Sequence, residues 1–85
     1  MIHKIFAVFD SKAASFMTPY FAINQGLAIR SFAHLSRDPQ SYVSAFPSDF
    51  TLFELGSIDL ESGIMTQLDH AQNLGTAAAY QLKEE

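Results

Sequence analysis

Four cations and three aromatic rings in the first half of the chain have types that could work together: Lys12, Arg30, His34 and Arg37, with Phe16, Tyr20 and Phe21. A polynucleotide single strand is held by two devices, cations that follow the phosphates and rings that stack on bases, the latter at about 1–3 kcal/mol per base. Arg30, His34 and Arg37 recur at i, i+4 and i+7, which lines them up on one helix face. The three rings flank Pro19 in a segment that reads as an edge strand or ordered loop, because proline cannot donate to a sheet ladder. Tyr20 is the best placed of them, since its hydroxyl prefers water or a partner. Each group also has a purely structural role open to it. Positive charge at His34 and Arg37 suits the carboxyl end of a helix. In a chain with 8 Phe and no Trp, rings are first of all core material.

Charge is divided along the chain. Up to Ser48, Lys4, Lys12, Arg30 and Arg37 stand against Asp10 and Asp38, a balance of +2; beyond it Lys83 stands against seven acids, a balance of −6. The whole carries −4, so a polyanion would bind only where the cations are gathered on one surface. A homodimer would double the basic stripe and is expected to give a longer, continuous track.

Other chemistries find little support. His3, His34 and His70 are far apart and none has a second ligand at helical spacing, so no metal site is expected. Asp59, Glu61 and Asp69 surround a turn without the pattern of a calcium loop. There is no Cys nucleophile, no phosphate-cradling glycine loop and no Gly-x-Ser-x-Gly elbow. Asp10 and Lys12 could meet Arg30 as a polar cluster, but no acid–base pair is assembled. The expectation is a protein that is not an enzyme and uses no cofactor.

The elements that must position these groups can be read from periodicity. Ile2 to Phe9 is a strand, apolar on both faces and so suited to a place covered on two sides. Asn24 is a helix cap, and Gln25 to Arg37 a helix burying Ala28, Ile29, Phe32 and Leu35. Pro39 to Phe46 reads as a short helix with Tyr42, Val43 and Phe46 turned inward. Phe50 to Ile58 and Ile64 to Leu68 form a hairpin, with Gly63 in the left-handed position of its loop. The predicted fold is α+β: a small antiparallel sheet of three to four strands, with one main helix and a short second helix packed on one face. Residues 1–68 form the domain, and residues 69–85 are expected as a weak helix or flexible acidic tail. No apolar run approaches the ~20 residues that span a bilayer, and the first residues lack a signal peptide's apolar stretch, so a soluble intracellular protein without membrane contact is expected.

Several stretches together resemble a known family. They are Phe9-Asp10-Ser11-Lys12-Ala13, Thr18-Pro19-Tyr20-Phe21, Asn24-Gln25-Gly26-Leu27-Ala28-Ile29-Arg30-Ser31-Phe32 and Asp38-Pro39-Gln40-Ser41. Phe46-Pro47-Ser48-Asp49-Phe50-Thr51-Leu52-Phe53, Leu55-Gly56 and Ser62-Gly63-Ile64 follow. In this order and spacing they resemble the small nonstructural protein of gokushoviruses, single-stranded DNA phages of the Microviridae. The resemblance covers roughly residues 2–65. It implies a DNA-binding protein of viral replication, a counterpart of the protein C that switches synthesis toward single strands for packaging. It also implies residence in the host bacterial cytoplasm. Lys12 and Arg30 belong to the resembling pattern as natural phosphate contacts; His34 and Arg37 do not. An adaptor that binds a phage or host replication protein through acids such as Glu54, Asp59, Glu61 and Asp69 is the alternative.

Overall fold

The apolar strand at the amino terminus becomes the centre of a sheet. In the computed structural model, which describes residues 1–82, β1 (Ile2–Asp10) pairs with β2 (Ser15–Phe16) and β3 (Tyr20–Ala22) along one edge. Along the other edge it pairs with β4 (Phe50–Asp59), and β5 (Met65–Thr76) lies outside β4. Every pairing is antiparallel. The fold is therefore the α+β arrangement that the sequence predicts, with five strands rather than three or four. The additional strand arises because the segment around Pro19 breaks between Phe16 and Tyr20, and both fragments pair with β1.

Helix α1 (Gln25–Arg37) has the limits that its sequence implies, and the Asn24 side chain accepts a hydrogen bond from the Leu27 amide at 2.9 Å. Ala28, Phe32, Ala33 and Ser36 are its buried residues. Ile29 and Leu35 are half-buried, and the Ser36 hydroxyl is satisfied by donating to the Phe32 carbonyl at 2.7 Å. The sheet answers with Phe6, Val8, Phe50 and Leu52, and Val43 and Ala77 complete this core. All these sheet residues lie on one face, so the helices α1, α2 (Tyr42–Ala45) and α3 (Ala77–Gln81) share one side of the sheet.

Three expectations change. The segment from Asp69 to Thr76 is not a weak helix but the second half of β5, and a helix begins only at Ala77. The pairing register explains this: Glu54 faces Gln72 and Phe53 faces Asn73, so ladder bonds with β4 override the helical preference of an Ala- and Gln-containing stretch. Gly75 has φ +114°, closed to other residues, and its Cα side rests against the Tyr80 ring. A boundary at residue 68 therefore falls inside β5; Lys83, Glu84 and Glu85, expected as a frayed end, lie outside the described residues. Second, Tyr42 and Phe46 do not turn inward. The short helix is capped by Ser41 and starts only at Tyr42, which rotates it so that Val43 alone is buried while Tyr42 and Phe46 are 80% and 56% exposed. Third, β1 is not covered on two sides. Ile5 and Ala7, on the face away from the helices, are buried by neighbouring side chains within the sheet, and the molecule is only 20 Å thick along its shortest axis, which is two layers.

The β4–β5 hairpin contains a close approach that admits one residue type. A Cβ on Gly56 would collide with the Thr66 carbonyl oxygen. Beside it the ladder slips: β4 advances from Gly56 to Glu54 while β5 passes from Gln67 to Gln72. Gly63 takes φ +77° in the hairpin loop, as its position predicts.

Candidate nucleic-acid interface

The outer face of α1 brings the basic stripe together. Arg30, His34 and Arg37 are exposed and line one groove with Ser31. Their i, i+4, i+7 spacing does this directly, because the opposite face is fixed in the core by Ala28 and Phe32. Arg37 is also tied to the neighbouring helix, its Nη2 donating to the Tyr80 carbonyl at 2.8 Å. That contact places a cation at the last turn of α3, the structural role foreseen for it transferred to another helix. Arg30 is exposed and makes no ion pair with any other described residue.

Lys12 lies in the turn between β1 and β2, where the Asp10 carboxylate accepts from the Lys12 amide at 3.0 Å and the Ala13 amide at 3.4 Å. Its side chain edges a second, larger groove of about 660 Å³, whose walls are Met17, Leu35, Tyr42, Val43, Phe46 and Phe50. Asp10, Gln40, Ser41 and Asp49 are the polar members of its rim. A small cleft lined by Val8, Tyr20, Ser31, Phe32 and Leu35 has Leu35 in common with the apolar groove and Ser31 in common with the basic one. Lys12 and Arg30 therefore border two different grooves, each with a lining residue in common with this cleft. Asp10 belongs to the Lys12 groove, while Arg30 lines the other, so the three do not form a single polar cluster.

The aromatic edge divides. Tyr20 and Phe21 are adjacent on β3 and point to opposite faces. Tyr20 stands across from Phe6, with ring centroids 5.9 Å apart, and its hydroxyl donates to the Ala28 carbonyl at 3.0 Å. Burial pushes this hydroxyl's pKa from 10.0 up to about 12. Tyr20 is thus part of the attachment between β3 and α1. Phe21 stands across from Ile5 on the face without helices, and is 53% exposed. Phe16 stands across from Phe9 on that same face and packs edge-on against Phe9 and Phe53 at centroid distances of 5.0 and 5.7 Å. Neither Phe16 nor Phe21 shares a surface with the basic stripe. The rings that do lie beside a cation are Tyr42 and Phe46, which sequence reasoning sent to the core. The signal that could have found them is the Ser41 cap, whose oxygen accepts from the Val43 and Ser44 amides at 2.9 and 3.3 Å and so sets the rotation of α2.

The acids foreseen as an adaptor surface also separate. Glu54 is 4% exposed and accepts from Lys4 Nζ at 3.1 Å and Gln25 Nε2 at 2.8 Å. It is a structural group, and Lys4 with it. Asp59 and Glu61 cluster in the hairpin turn, where the Asp59 carboxylate accepts from the Glu61 amide at 3.0 Å. Among the described residues no three His, Asp or Glu side chains converge as metal ligands, and no helix is long and apolar enough to cross a membrane.

Residues 3–80 match the family model described as Phage ORF5 protein. The chain belongs to that family. It is therefore a small phage protein, and the match extends past the hairpin through β5 and into α3. No curated protein and no solved structure is similar enough to match it.

Proposed function

We propose that this Phage ORF5 family member is a non-enzymatic binder of single-stranded DNA. It acts in the host bacterial cytoplasm, in viral DNA replication or in the switch toward packaging. The observation that carries the reading is a pair of unlike grooves flanking one cleft: the cationic one of Arg30, His34 and Arg37, and the apolar one lined by Lys12, Tyr42 and Phe46. Phosphates would sit along α1, and unstacked bases would enter the apolar groove, where exposed rings offer π faces. Bases in a duplex keep their faces hidden, so single strands are preferred. The ORF5 family supports a phage role, and the resemblance to the gokushovirus protein supports the replication context.

Three cations engaged with a single strand give a slope of about −2 for log K against log salt. Anisotropy titration of a labelled oligonucleotide, single-stranded and duplex, at two salt concentrations measures this. Lys12→Ala with Arg30→Ala is expected to weaken binding at least tenfold and flatten the slope to about −1 or less, with an unchanged circular dichroism spectrum. Tyr42→Ala with Phe46→Ala is expected to weaken binding with no change in slope. Binding that ignores salt, or a Lys12/Arg30 double variant that binds like the parent, overturns the assignment.

A further inference from the structure

Among the described residues no layer lies on the face of the sheet away from the helices; its centre is apolar, and His3, Thr51, Gln67, Asn73 and Thr76 form polar margins around that centre. Paired positions there carry Ile5, Ala7 and Phe9 of β1, Phe53 and Ile58 of β4, and Met65 of β5. Phe16 and Phe21 extend the surface onto the short edge strands, where they are 46% and 53% exposed, and Met65 is 60% exposed at the other edge. A monomer rarely leaves so continuous an apolar area in water. At the paired positions of this face there is no Asp, Glu, Lys or Arg. In a chain of net charge −4, two copies can meet at these paired positions without bringing acids together.

The size is also right. Four strand columns at ~4.8 Å and a nine-residue central strand at ~3.3 Å per residue make a face on the order of 20 by 30 Å. Its ~600 Å² in projection approaches the ~800 Å² that each partner contributes to a standard interface, before side-chain relief is counted. We propose that a second copy of this chain packs on this face, sheet against sheet, to form a four-layer dimer with the helices outermost. Like surfaces suit a twofold axis, and stacked sheets lie ~10 Å apart. The two α1 faces then point away from each other. They do not join into the continuous track expected from doubling the stripe. This last consequence rests on the proposed function: a dimer with two outward grooves would bridge two strands, or two distant parts of one.

Sedimentation equilibrium at tens of micromolar tests the pairing without DNA. The parent is expected at twice the 9.4 kDa chain mass. Phe21→Asp with Met65→Glu alters two side chains more than half exposed, and is expected to give a folded monomer. Tyr42→Asp, on the helix side, is expected to remain a dimer. A monomeric parent at 100 µM, a dimer unaffected by the Phe21/Met65 change, or one abolished by Tyr42→Asp overturns the proposal. Should the Phe21/Met65 variant fail to fold, spin labels decide: the described residues contain no cysteine, so Gln67→Cys and His34→Cys each place one label per chain. Labels at 67 are expected within ~25 Å of each other and labels at 34 beyond ~35 Å, given layers ~10 Å thick; the reverse order excludes the arrangement. With two differently labelled oligonucleotides, energy transfer is expected from the parent and not from the Phe21/Met65 monomer. A dimer that binds DNA without bringing the two together rules out outward grooves. A dimer that binds no DNA sinks the proposed function and leaves the pairing intact.

Discussion

The two faces of one sheet are both apolar, yet they are held to different standards. On the helix side Phe6 and Leu52 are fully buried, and every polar group that enters the layer is paired, as Glu54 is with Lys4 and Gln25. On the other side Ile5 and Ala7 are buried only because Phe9, Phe16, Phe21 and Phe53 crowd around them, and two of those rings stay exposed. The alternation of β1 supplies apolar residues to both faces, but the chain has helices enough for one. A small domain has surface-to-volume limits, and this one covers the first face with helices and leaves the second without a layer among the described residues.

The largest test of that contrast compares one phenylalanine from each side. Phe32 is 2% exposed and stacks edge-on against Tyr80 at 5.8 Å. Phe32→Ala should cost about 3–5 kcal/mol, enough to lower the melting temperature by roughly 15 °C or more in a domain of this size. Phe21→Ala, measured in dilute solution where the chain is unassociated, should cost no more than about 1–1.5 kcal/mol, since about half of its ring is already in water. Equal losses in thermal melts would mean that the second face is covered within the monomer.

Next in size is the hairpin that joins both faces. Gly56→Ala forces a methyl group onto the Thr66 carbonyl, and only a shift of one strand relieves it. A loss of about 3 kcal/mol is expected, read from urea denaturation, with faster amide exchange in β5 than in β1. Uniform exchange across the sheet would show that the strain is not local to the β4–β5 ladder.

Local signals were strong where a single residue decides a single geometry. Asn24 caps α1, Gly63 turns the hairpin, and the 3.6-residue spacing of Ala28 and Phe32 orients the helix, so all three could be read directly. The signals failed where two partners compete. Asp38 and Ser41 can each cap a short helix. Ser41 does so while Asp38 bonds the Gln40 amide, and the difference moves Tyr42 and Phe46 from core to surface. The β5 segment was ambiguous for a related reason: its residues favour a helix weakly, and pairing with β4 is a tertiary fact. For the candidate site, the i, i+4, i+7 cations were legible in advance. The rings that share the Lys12 groove were not, because the rotation of α2 is set by the Ser41 cap, and alternation along the Pro19 segment sends the expected rings Tyr20 and Phe21 to opposite faces.

A smaller effect probes how the covered face tolerates charge. In this ion pair the Lys4 side chain is 40% exposed and the Glu54 side chain nearly buried, so solvent screens the cation more than the acid. Lys4→Met leaves the acid with Gln25 as its remaining partner. The expected loss is about 1–2 kcal/mol, below the ~3–5 kcal/mol of a fully buried pair. Lys4→Met with Glu54→Gln should recover part of it, because the uncompensated charge is gone. If urea midpoints show the double variant to be as weak as Lys4→Met, the carboxylate was not the source of the cost.

The smallest effect falls on the residue that lies at the seam. Tyr20 and Phe21 are neighbours on β3, one facing α1 and one facing away. Tyr20→Phe keeps the ring against Phe6 and removes the hydrogen bond to the Ala28 carbonyl, a loss of about 1 kcal/mol. Its pH signature separates it from a packing change. The folded hydroxyl titrates at about 12 and the unfolded one near 10, so the native chain holds its proton longer. That contribution is complete below about pH 10 and disappears as pH rises toward 12. Other groups titrate in this range too, so the readout is the difference between parent and Tyr20→Phe in urea midpoint. The gap should narrow between pH 10 and 12 and then reverse or vanish. Phe21→Ala should show no such window. A gap that stays constant to pH 12 would place the Tyr20 hydroxyl in water, and with it the seam between edge strand and helix.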